Sequence, residues 1–165
     1  MSDTIQDQDR IRLKGARDYS IAHGGVKRLL EEIFEVDVVI TSAQILAMNA
    51  SPVELVPAPG SDKYLEFLGA QAIMDSAVAY AGVGATEDLV VRYTDGSGAI
   101  VSTTLETTGF IDQTTDQIRT HKAISTDVTP VVNAALVAQI INGEITTGTG
   151  TLRYRVRYKI HETKL

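Results

Sequence analysis

The chain has no cysteine, no tryptophan, only four prolines and only three histidines among its 165 residues. Without cysteine there are no disulfides and no thiolate-ligated metal site, and the chain is compatible with any redox compartment. The histidines, His23, His121 and His161, lie far apart and outside any His-Glu-x-x-His pattern. Each is read as a surface residue, and no metal site is expected. No apolar run approaches the roughly 20 residues that span a bilayer, so no membrane segment is expected. The first residues, Met-Ser-Asp-Thr-Ile-Gln-Asp-Gln-Asp, lack the basic and apolar regions of a secretory signal.

The catalytic inventory is equally thin. No serine sits in Gly-x-Ser-x-Gly and there is no Walker-type loop. Gly82-Val83-Gly84 and Gly148-Thr149-Gly150 do not run from a strand into a helix, as a phosphate loop must, and read as hairpin glycines. Glu31-Glu32 and Glu87-Asp88 are adjacent carboxylates whose side chains point apart, so neither is an acid–base pair. No enzymatic activity, no cofactor and no catalytic residue is expected.

What is present is a globular composition, 44% hydrophobic and 22% charged, of single-domain size. The net charge of −6 is unevenly spread. Residues 36–150 hold thirteen acids against four bases, whereas residues 151–165 hold five bases and one acid. An acidic body of this kind disfavours nucleic acid, because phosphate binding needs clustered Lys and Arg.

Residues 1–24 read as a charged arm without sustained periodicity. Val26, Leu29, Leu30, Ile33 and Phe34 then recur at helical spacing, predicting a short amphipathic helix over Gly25–Glu35 that docks on a partner or caps its own domain. From residue 36 the period becomes that of strands. Val36–Ile40, Val53–Val56, Lys63–Leu68, Ala70–Tyr80, Asp88–Tyr93 and Ala99–Leu105 read as strands. Thr41-Ser42 offers an N-cap to a turn of helix over Ala43–Met48. Pro57–Gly60 and Thr94–Gly98 are turns. Thr107–Thr126 reads as a polar crossover or loop, and the apolar run from Val131 to Ile141 as a buried strand. About eight short strands and little helix predict a mainly β fold, an antiparallel β-sandwich or jelly roll over residues 36–165, with an arm and short helix over residues 1–35.

The last strand carries the sharpest pattern. Leu152, Tyr154, Val156, Tyr158 and Ile160 alternate with Arg153, Arg155, Arg157, Lys159 and His161. Side chains alternate faces along a strand, so one face is apolar and the other is a comb of positive charge. The comb is expected to meet acids, in its own subunit or in a neighbour. Arg153, Arg155, Arg157 and Lys159, with the helix residues Val26, Leu29, Leu30, Ile33 and Phe34, form the candidate interaction surface.

Three segments carry a family resemblance. One is Thr41-Ser-Ala-Gln-Ile-Leu-Ala-Met-Asn followed by Ser51-Pro-Val-Glu-Leu-Val-Pro-Ala-Pro-Gly. The others are Asn133-Ala-Ala-Leu-Val and the stretch from Gly143 to Tyr158. Residues 36–161 resemble small β-rich structural proteins of tailed bacteriophages and prophages, of the head decoration or cement type. The resemblance implies a virion protein assembled in the host cytoplasm. It implies a homo-oligomer, with a trimer favoured, that binds the phage major capsid protein or another virion protein. It supplies no active-site residues. The alternative is a host-surface or carbohydrate-binding sandwich module of a phage particle, against which the scarcity of aromatic residues counts.

Overall fold

A computed structural model describes residues 32–124 and 128–163, together with the backbone of four short strands nearer the N-terminus. The chain divides into two compact units, Met1–Glu32 and Ile33–Leu165. In the first, β1 (Arg12–Leu13) pairs antiparallel with β2 (Arg17–Asp18), and β3 (Ser20–Ala22) with β4 (Val26–Arg28). The helix expected over Gly25–Glu35 is therefore not formed where the structure describes it. Val26 is in β4, and Phe34 opens the next strand, β5 (Phe34–Ile40). Valine, isoleucine and phenylalanine all favour strands, and an isolated helix this short has little stability of its own. Leu29 and Leu30 lie outside the described residues.

The second unit is a β-sandwich. After β5 come the helix α1 (Ser42–Ala47), β6 (Val53–Val56), β7 (Lys63–Ala81), β8 (Asp88–Tyr93), β9 (Leu105–Glu106), β10 (Gln117–Lys122), β11 (Leu136–Ile141) and β12 (Thr147–Glu162). Sheet I has the order β10-β7-β12-β5 and sheet II the order β6-β11-β8-β9, with every pairing antiparallel. Ile40, Met74, Leu152, Tyr154 and Val156 of sheet I pack against Leu89, Val91, Tyr93, Leu136 and Ile140 of sheet II in one buried core. The helix forms because Thr41 completes a capping box with Gln44, and it buries Ile45.

Several strand expectations change: the strand expected over Val131–Ile141 begins only at Leu136, and the expected crossover or loop over Thr107–Thr126 contains β10. Lys63–Leu68 and Ala70–Tyr80 are one 19-residue strand with a change of phase at Leu68/Gly69. Before it Leu65 and Phe67 are buried; after it Ala70, Ala72 and Met74 are. The register with β12 shifts at this point, so a bulge keeps one face on the core. Gly148 and Gly150 do not form a turn but lie inside β12. A Cβ on Gly148 would stand 2.5 Å from Tyr80 Cδ1, so glycine is required there by the close approach of that ring. The hairpin after Thr94–Gly98 returns only as a bridge, Arg92 to Ile100, because buried Ser102 takes the Val91 N–H on its Oγ at 2.8 Å.

Candidate interaction surface

The basic comb lies on the outward face of sheet I, in the strand between β5 and β7. Antiparallel pairing places it in rows. Arg155 stands opposite Asp37 on β5 and Gln71 on β7, and Gln71 stands opposite Thr120 on β10. The Arg155 guanidinium donates from Nε to Asp37 Oδ1 at 3.0 Å and from Nη2 to Asp37 Oδ2 at 3.3 Å, with Glu35 at 3.7 Å. The hydrogen bond from Arg155 holds the Asp37 carboxyl below the usual carboxylate range. Further along, Glu66 receives His161 Nε2 at 2.7 Å and Lys159 Nζ at 4.0 Å, and the His161 ring stacks on Tyr64. Much of the comb is thus answered by acids of its own sheet. Arg153 and Arg157 are exposed and make no ion pair among the described residues.

Two rows are distinctive. In one, Lys122, Gly69, Arg157 and Glu35 stand side by side across all four strands. Gly69 has no side chain, and its φ of +149° belongs to the bulge. The result is an open notch lined by Leu68, Gln71 and Thr120, with Lys122 and Arg157 on either side and Arg155 and Glu35 also on its wall. In the other row, Val39, Arg153, Ile73 and Ile118 stand side by side. Val39 is 54% and Ile118 61% exposed, so a strip of apolar surface borders the charged rows.

Of the other candidate residues, Phe34 stacks on Tyr158 with centroids 5.5 Å apart, and Ile33 is exposed. They do not form a helix face, and the side chains of Val26, Leu29 and Leu30 are outside the described residues.

Beneath the notch lies a feature the sequence reading missed. His121, expected at the surface, is 0% exposed on the inward face of β10. Its Nδ1 is 2.8 Å from the Thr103 carbonyl and its Nε2 is 2.9 Å from the Tyr154 hydroxyl. A carbonyl only accepts, so Nδ1 carries the proton and Nε2 accepts from the tyrosine. Burial pushes the imidazole down to about 4 and the Tyr154 phenol up. The ring is kept neutral and fully bonded, which is a structural role rather than that of a poised base. No signal local to residues 117–122 marks it, because its partner is on β12.

Among the described residues, no group of three or more His, Cys, Asp or Glu side chains is placed to hold a metal ion, and no helix is long and apolar enough to cross a membrane. No family model, curated protein or solved structure matches the chain.

Proposed function

We propose that the protein is a structural component of a tailed-phage particle, acting as a capsid decoration or cement protein that self-associates, as a trimer in the favoured form, and coats the head. The reading rests on the resemblance of residues 36–161 to such proteins. The observation that carries it is how the resembling segments meet. The Gly60 N–H, at the end of Pro57–Gly60, donates to Asn133 Oδ1 at 3.0 Å, and Val56 pairs with Leu136. The third segment supplies Leu152–Tyr158, the strand between β5 and β7. These stretches are joints of a sandwich, as expected of positions matched for architecture rather than chemistry. On the outward face of sheet I, the apolar row with exposed Val39 and Ile118 is the surface offered to a shell protein.

Antibody raised against the purified chain tests the reading on particles purified from the source. Labelling of intact heads, with the 17.8 kDa band present in many copies per particle, is the expected result. Absence of the chain from purified particles would overturn it.

A further inference from the structure

The notch on sheet I has an opposite number on sheet II. Asp88 on β8 stands directly opposite Glu106 on β9, a like-charge cross-strand pair. Leu89 and Val91 point into the core, so Asp88 and Glu106 lie on the outward face of sheet II. Glu87 adjoins them, and its Oε2 is buried with no hydrogen-bond partner among the described residues. Desolvation, then repulsion from Glu106 and Glu87, raises the Asp88 carboxyl above its usual range. None of the three carboxylates has an ion-pair partner among the described residues.

One molecule therefore carries a notch with three cations to one acid, whose Lys122 and Arg157 make no ion pair among the described residues, and an acidic cluster likewise without an ion pair among them, on back-to-back faces. We propose that these two surfaces bind each other between copies of this chain. The carboxylates of Asp88 and Glu106 in one copy enter the notch between Lys122 and Arg157 of the next. The inference rests on the self-association in the reading above and names its interface. Lys122 and Arg157 flank β7, placing their backbones ~10 Å apart, so both reach one carboxylate held over Gly69. Gln71 and Thr120 add neutral hydrogen-bonding groups to the notch wall. An extended polyanion such as a nucleic acid fits less well than two carboxylates, because the few cations of the notch are bounded by Glu35 and the chain as a whole is acidic, so a long run of phosphates would lie against acidic surface. Because the two surfaces differ, the contact is head-to-tail. Copies so joined form a ring where the rotation closes.

Sedimentation of the full chain at low and high salt tests this with two double variants at exposed or half-exposed positions. Lys122→Glu/Arg157→Glu makes the chain more acidic, and Asp88→Asn/Glu106→Lys makes it less so. A general net-charge effect moves their association in opposite directions, whereas a paired contact weakens in both. The expected result is a salt-sensitive oligomer for the parent and at least a tenfold weaker one for each variant, with thermal melts showing that both fold. A zero-length carbodiimide cross-link on the parent, which needs no variant, is expected to join Lys122 to Asp88 or Glu106 between copies. A parent that stays monomeric overturns both this inference and the self-association it rests on. A parent oligomer that both variants reproduce, or that yields no such cross-link, overturns the interface alone.

Discussion

The hydroxyl of Tyr154 donates to Nε2 of His121 across 2.9 Å of fully buried interior, joining the two sheet I strands that flank β7. Both groups lack access to water, so the bond ties stability to the protonation state of one ring.

Stability should fall as the solution is acidified from about pH 6.5 to about pH 4. His121 titrates near 6.5 when unfolded and near 4 when folded, because burial disfavours the imidazolium. Between those values the unfolded chain binds the extra proton, so its population rises as pH falls. The contribution is complete above the unfolded value and exhausted below the folded one. Its full size is on the order of 3 kcal/mol. Urea midpoints measured from pH 7.5 to 4 check this. In His121→Gln, that part of the slope should vanish.

Tyr154→Phe should destabilise the fold while leaving the core volume intact. It strands Nε2 of His121 as a buried acceptor without a donor, which costs about 1–3 kcal/mol. A melting temperature lowered by several degrees, with an unchanged far-ultraviolet spectrum, is the expected outcome. A melt equal to the parent's would show that the bond is not formed in solution.

Gly148→Ala should also destabilise. The added methyl would meet the Tyr80 ring at 2.5 Å from a backbone with φ of +136°. A loss above about 1 kcal/mol is expected from combined crowding and strain. A denaturation midpoint no lower than the parent's would mean that β12 does not press on Tyr80.

Replacing Arg153, Arg155 and Arg157 together with Gln should leave the domain folded, because Leu152, Tyr154 and Val156 on the other face are untouched. The Arg155–Asp37 pair is solvent-exposed, and such pairs contribute only about 0–1 kcal/mol. Association should weaken and lose its salt sensitivity. Light scattering across a salt series that matches the parent's would reduce the comb to a solubilising face.

Thr41→Ala removes the side chain that accepts the Gln44 N–H at 3.4 Å in the capping box. A loss of about 1 kcal/mol is expected by thermal denaturation. An unchanged midpoint would mean that packing of Ile45 alone holds the helix.

The elements legible beforehand share one property. Val53–Val56 and Asp88–Tyr93 end at the residues expected of them because each apolar run is followed by a turn cluster, Pro57–Gly60 and Thr94–Gly98. Strand β10 was illegible because Gln117–Lys122 is an edge strand whose one aliphatic side chain, Ile118, faces outward. The helix expected over Gly25–Glu35 was a matter of period alone, and three of its five apolar residues, Val26, Ile33 and Phe34, are also good strand formers.

The candidate surface divides in the same way. Alternation along residues 152–161 established by itself that one face is apolar and the other basic, because side-chain direction in a strand is a local property of the backbone. The strand-period runs punctuated by turns established that the fold is β-rich, and the absence of cysteine that it is free of disulfides. Which cations are answered was decided only by tertiary structure. Asp37 and Glu66 lie 118 and 93 positions from Arg155 and Lys159, and strand order and register bring them together. The bulge at Gly69 opens the notch beside Arg157, and Tyr154 takes His121 into the core. Registry between distant strands is set by the packing of the whole sandwich, and no local pattern encodes it.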